Sequence, residues 1–128
     1  MAASLVIFLT YNNFMPIIRS LYSIITQKAI LTEINLRHLK LIKELIISYN
    51  KEEVRFCNFV NRFEEIISNF DNPSQDWLKE MKALWVSLEE INAVLLDEKN
   101  ITRRDFKAEI LVIINKVLEL VEKNHDQY

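Results

Sequence analysis

The chain has 128 residues, 16 Lys and Arg against 18 Asp and Glu for a net charge of -2, half of its residues hydrophobic, two prolines, one cysteine and no glycine. A length of this order suits a single domain, here residues 1–128, with a core large enough to need no staples, and the lone Cys57 excludes an internal disulfide and points to a reducing cytoplasm. The missing glycine excludes phosphate-binding loops, dinucleotide fingerprints and nucleophile elbows together, because each needs a backbone with φ > 0 or a close approach to the ligand.

Ala2 to Leu9 is almost entirely apolar, and no charged side chain precedes Arg19. The run has no basic n-region and no A-x-A-like cleavage site, and Thr10, Tyr11, Asn12, Asn13 and Pro16 interrupt it well short of a membrane span. It therefore reads as a short first helix, about Ala2 to Thr10, that is buried or covered by a partner. Asn12 and Asn13 supply the left-handed cap that glycine usually fills. Pro16 then suits the first turn of a second helix, with Ile17, Leu21, Ile24, Ile25 and Lys28 along one side. Thr32 caps or merely interrupts the next segment, where Ile34, His38, Leu41, Leu45 and Ser48 form a line broadened by Leu39, Ile42, Ile46 and Tyr49. One long kinked helix from Pro16 to Tyr49 is the alternative.

After Ser48, Tyr49 and Asn50, the acids Glu52 and Glu53 favour a new helix start by complementing its dipole. That helix reaches about Phe70 and carries Phe56, Phe59, Val60, Phe63, Ile66, Ile67 and Phe70, which predicts a thick aromatic core. Asp71, Asn72, Pro73, Ser74 and Gln75 form the clearest boundary. Beyond it Trp77, Met81, Leu84, Leu88, Ile91 and Leu95 repeat in steps of four and three, widened by Leu78 and Trp85. Thr102 opens the last helix, with Asp105 placed to return the cap. Its stripe is Phe106, Ile110, Ile113, Val117 and Leu120, joined by Ile114, Leu118 and Val121. No alternating strand pattern competes. The fold class is all-α: an up-and-down helical bundle of four main helices plus a short apolar N-terminal helix, with the last two main helices forming an antiparallel hairpin.

The net charge conceals an asymmetry. Residues 1 to 51 carry six basic and two acidic side chains, a balance of +4, whereas residues 52 to 128 carry ten and sixteen, a balance of -6. The two halves are expected to pack beside and screen one another. Arg37, Lys40 and Lys43 form a basic stripe in the first half. Glu33 and Glu44 flank it, and it lacks the aromatic interleaving of a single-strand platform, so nucleic-acid binding is not expected.

Candidate chemistry is sparse. Glu122 and His125 form one E-x-x-H, whereas di-iron bundles need two such motifs and two further carboxylates; His125 and Lys123 instead suit the negative end of a helix dipole. His38 reads as a hydrogen-bonded, half-buried histidine. Cys57 has no visible activating base and reads as a small buried group. The acid pairs Glu64/Glu65 and Glu89/Glu90 point about 100° apart within each pair, so neither converges. No catalytic residue, metal or cofactor is expected.

The tip between the last two helices is unusual. Asp97 and Glu98 lie near the negative end of one helix, and Arg103 and Arg104 in the positive first turn of the next, each pair opposing its local dipole. Either the pairs neutralise each other across the loop, or Lys99, Arg103, Arg104 and Lys107 are kept for an acidic partner. The leading expectation is a non-enzymatic protein-interaction module, an inhibitor, immunity or antitoxin-like protein or adaptor, using Lys99, Arg103, Arg104, Lys107, Arg37, Lys40 and Lys43. A homodimer through the first helix, a small helical nuclease or hydrolase or nucleic-acid-binding bundle, and a membrane-associated bundle anchored by Ala2 to Leu9 are the alternatives.

Overall fold

A computed structural model describes the backbone of residues 2–125 and the side chains of residues 15–26 and 32–124. The described residues form an all-α chain: α1 (Ala2–Asn50), α2 (Phe56–Ser68), α3 (Gln75–Asp97), a 3-10 turn (Arg103–Phe106) and α4 (Lys107–His125). The chain divides into two compact units, Met1–Glu33 and Ile34–Tyr128.

In the first unit, the separate N-terminal helix expected over Ala2 to Thr10 does not exist. The backbone is helical through Tyr11, Asn12, Asn13 and Pro16. An asparagine costs a helix only about 0.7 kcal/mol or less relative to alanine, so two of them do not terminate a run flanked by Leu, Ile, Phe and Met. Pro16 removes one backbone hydrogen bond but does not end the helix. Ile17, Leu21, Ile24 and Ile25, the expected inward side, are exposed, and so are Ile18 and Tyr22, with fractional exposures of 54% to 72%. What covers Ala2 to Leu9, and where the Lys28 side chain lies, fall outside the described residues.

The second unit holds the core. Leu39, Ile42, Ile46 and Tyr49 of α1 meet Phe56, Phe59, Val60, Phe63, Ile66 and Ile67 of α2, Trp77, Met81, Leu88 and Ile91 of α3, and Ile110, Ile114, Val117 and Val121 of α4. Every apolar residue predicted for α2 is buried, Phe70 included. Their spacing of three and four puts them on one face, and the large rings stack: Tyr49 on Phe59 at 4.8 Å, Phe59 on Phe63 at 6.3 Å.

The indole of Trp77, at the start of α3, donates to the carbonyl of Leu120 near the end of α4 at 2.9 Å. That of Trp85, which is partly buried, donates to the Val60 carbonyl of α2 at 3.1 Å, so α3 is tied to both neighbours by aromatic donors. Between α1 and the loop after α2, the Asn35 side chain forms a two-way clamp. Its Nδ2 donates to the Asp71 carbonyl at 2.8 Å, and its Oδ1 accepts from the Asp71 N–H at 2.9 Å.

The caps explain where the helices stop. Ser74 accepts from the Trp77 N–H at 3.5 Å and Asp76 occupies the first turn of α3, so Pro73 lies just outside that helix. At the other end of the hairpin, the Asp105 carboxylate accepts from the Thr102 N–H at 2.8 Å, the returned cap expected from sequence, although a 3-10 turn rather than an α-turn follows it. α1 ends differently. The Glu52 N–H donates to Tyr49 O and the Glu53 N–H to Ser48 O, both at 3.0 Å, which is the double closure of a Schellman motif with Glu52 at its left-handed position. Glu52 has φ 61°, and Asn72, in the loop before α3, has φ 46°. Glu52 therefore belongs to the end of α1, and the helix start expected there moves to Phe56.

Candidate functional site

The closure at Glu52 and the tip before α4 come together in the second unit. They frame a cleft of about 410 Å³ lined by Tyr49, Asn50, Glu52, Arg103, Arg104, Lys107, Ile110, Leu111 and Ile114. Its floor is apolar, from Ile110, Leu111, Ile114 and the Tyr49 ring, and three cations stand around it with Glu52 as the single acid.

Arg103 is the centre of the arrangement. Its Nη2 donates to Glu52 Oε1 at 3.1 Å, and its guanidinium carbon lies 5.4 Å from the centre of the Tyr49 ring, within cation–π range. The sequence offered Asp97 and Glu98 as neutralising partners across the loop; Arg103 instead pairs with Glu52, 51 positions away. Arg104 and Lys107 line the same cleft and form no ion pair among the described residues.

Glu52 is an unexpected residue at a left-handed position. A residue with a Cβ costs about 1–2 kcal/mol there, and glycine or asparagine would cost less. The two closing backbone bonds form whatever the side chain is. The ion pair, with the Glu52 side chain 75% exposed, contributes only about 0.2–1 kcal/mol. The ion pair therefore does not clearly offset the backbone cost at this position.

Tyr49 is buried under the cleft, and burial pushes its phenol above the ordinary tyrosine range, with Arg103 acting in the opposite direction and Glu52 reinforcing the rise. In the unfolded chain the phenol ionises near pH 10; in the folded chain it resists. Folding stability is thus unaffected at neutral pH and falls as pH rises past about 10, where the unfolded state alone loses the proton. Tyr49→Phe is expected to flatten that alkaline fall, measured by urea unfolding at pH 8 and pH 11, and an unchanged slope would rule out this role.

Of the seven cations singled out in the sequence, Arg103, Arg104 and Lys107 line this cleft and Lys99 does not. Arg37, Lys40 and Lys43 stay on α1, away from its lining. Lys43 pairs with Glu122 of α4 at 2.6 Å and Lys40 approaches Glu44 at 3.9 Å. The Lys43 pair is an instance of the mutual screening expected between the halves of the chain. Tyr49, Glu52 and the apolar floor carried no sequence signal for this site; the end of α1 at Tyr49 and Asn50 was the one available clue.

Elsewhere the groups are dispersed. Among the described residues, no three His, Cys, Asp or Glu side chains come together in a way that could hold a metal ion. Glu122 is taken by Lys43, and the His125 side chain lies outside the described residues. His38 is half-buried as expected and packs on Phe70 at 5.4 Å, but its Nδ1 has no hydrogen-bond partner. Cys57 is a free thiol, half-buried rather than buried. Among the described residues, no helix is long and apolar enough to cross a membrane. Comparison with known protein families, with curated proteins and with solved structures finds no match.

Proposed function

We propose that this chain is a non-enzymatic protein-interaction module, of the inhibitor, immunity or antitoxin-like, or adaptor kind, that docks an acidic partner at the cleft between the end of α1 and the tip before α4. In this reading residues 34–128 form an up-and-down bundle of four helices, and the protein works in the cytoplasm, where Cys57 stays reduced. The observation that carries it is the convergence of Arg103, Arg104 and Lys107 over an apolar floor. A desolvated apolar centre with a charged rim is how protein interfaces combine affinity with orientation.

Because Arg103 is already held by Glu52 and Tyr49, the charge-reversal test falls on its neighbours. The full chain is used to capture its partner from native cell extract, and the recovered protein is titrated against wild type and the double variant Arg104→Glu, Lys107→Glu. The expected result is binding that weakens with salt in the wild type, and an affinity at least about tenfold lower with a shallower salt dependence in the variant. Equal binding by both would remove the cleft from consideration, and recovery of nucleic acid or lipid alone, or measurable turnover, would overturn the reading itself. The exposed Ile17, Ile18, Leu21, Tyr22, Ile24 and Ile25 of α1 favour self-association as a second reading. Light scattering of the same two proteins reports it independently of the cleft.

A further inference from the structure

We propose that the cleft is a carboxylate-binding site whose ligand is a partner segment presenting a carboxylate beside a bulky apolar side chain, and that Glu52 is its built-in competitor. This rests on the docking reading above and adds the chemical identity of the group taken up.

The two halves of the ligand follow from the two halves of the site. Ile110, Leu111, Ile114 and the Tyr49 ring offer an apolar floor that a bare inorganic anion leaves uncovered. Arg104 and Lys107 offer positive charge without an ion-pair partner among the described residues, beside an Arg103 that already binds one carboxylate of this chain. The Arg103–Glu52 pair is thus a worked example, inside the molecule, of the contact that a partner carboxylate would make. A nucleic-acid backbone fits less well: its affinity comes from many phosphates neutralised along a track, whereas here three cations surround one acid.

Glu52 then acquires a role. Its backbone sits at φ 61°, where glutamate is a poor choice, and its exposed pair with Arg103 returns less than that conformation costs. Its carboxylate occupies Arg103 over the Tyr49 ring and repels a second carboxylate approaching Arg104 and Lys107. Ligand entry must overcome that repulsion, so removing the charge of residue 52 strengthens binding.

The probe is N-acetyl-phenylalanine, which joins one carboxylate to one aromatic ring, titrated into the ¹⁵N-labelled full chain at neutral pH and followed by NMR. N-acetyl-phenylalanine amide and inorganic phosphate are titrated in parallel. The acid is expected to shift the amides of Arg103, Arg104, Lys107, Ile110 and Leu111, and neither control to do so at the same concentration. Glu52→Gln is expected to bind the acid about twofold to fivefold more tightly, the range of one exposed charge interaction, with Tm lowered by no more than a few degrees for the lost ion pair. Glu52→Asn should bind equally tightly and raise Tm, because asparagine accepts the left-handed backbone. Equal shifts from the amide or from phosphate would overturn the carboxylate assignment, and weaker or unchanged binding by both Glu52 variants would overturn the competitor. If the acid shifts nothing while Arg104→Glu, Lys107→Glu still loses the captured partner, this proposal fails and the docking reading stands. If the double variant keeps its partner, the docking reading fails on its own.

Discussion

Phe59→Ala is expected to lower the unfolding free energy by about 3–5 kcal/mol, the usual cost of emptying a large aromatic from a close-packed core. Phe59 is 1% exposed and stacks on Tyr49, Phe63 and Phe56 at 4.8, 6.3 and 6.4 Å. Four helices contribute to the cluster around it, so the cavity has no single element that can collapse into it. Urea unfolding should show a lower midpoint with an unchanged slope. Phe59→Leu, which keeps most of the volume, should cost less. A loss under about 1.5 kcal/mol for alanine would mean that the core repacks around the gap, in conflict with the density expected of native interiors. The same substitution reaches the cleft, because Tyr49 stacks on Phe59 with one face of its environment and carries Arg103 with another. Weaker capture of the acidic partner should accompany the loss of stability.

The second large effect is expected at Asn35, which is 2% exposed and holds both backbone groups of Asp71. Asn35→Ala strands an N–H and a C=O in a partly buried place, and each such group costs about 1–3 kcal/mol when unpaired, so the variant should lose about 2–4 kcal/mol. Asn35→Asp separates packing from hydrogen bonding. It keeps the shape and the acceptor, but at neutral pH it turns a carboxylate oxygen toward the Asp71 carbonyl. Burial and that oxygen both favour the protonated acid, so the folded-state pKa of the new carboxyl lies above its unfolded value, and its stabilising proton is lost as pH rises. Chemical denaturation should therefore find Asn35→Asp less stable than Asn35→Ala at pH 7 and regaining stability as pH falls toward 5. A loss by Asn35→Asp that is equal at both values would show that its proton does not restore the clamp, and an Asn35→Ala as stable as wild type would show that the clamp does not bear on stability.

These two residues also show what the sequence could and could not disclose. The face of α2 was legible in full, because large aromatics three and four apart have no competing pattern. The buried apolar residues of α1 and α4 were all named from the sequence, but the centre of each buried line was not. In α1 the buried line is Asn35, Leu39, Ile42, Ile46 and Tyr49: the four residues expected to broaden the stripe form its centre, and Ile34, His38, Leu41, Leu45 and Ser48, expected at the centre, are only partly buried. In α4 it is Ile110, Ile114, Val117 and Val121, all within the expected stripe, together with Asn124, while Phe106, Ile113 and Leu120 of that stripe are only partly buried. In both helices a buried asparagine completes the inward line, and hydrophobic periodicity cannot count an asparagine as inward. The site was half legible for a related reason. Arg103 and Arg104 stood out because they oppose a helix dipole, a local property. The partners of Arg103, Tyr49 and Glu52, are set by how α1 terminates, which depends on backbone closure and on a contact across 51 positions. The alternative of one long helix from Pro16 to Tyr49 lies within α1, but its union with Ala2 to Thr10 was missed because two asparagines and a proline look like punctuation while costing too little to act as it.

The left-handed residues Glu52 and Asn72 have a consequence for the denatured chain. Glycine at such positions would relax the native backbone, but it would also widen the range of conformations open to the unfolded chain, and each glycine so introduced costs about 0.4–1 kcal/mol of folding stability. A chain with no glycine therefore starts from a stiffer, less disordered unfolded ensemble and has less entropy to lose on folding. Local strain in the native state and reduced freedom in the unfolded one are two sides of the same choice of residue. At position 52 glycine would gain on one side and lose on the other, and asparagine gains on the first without the full loss on the second.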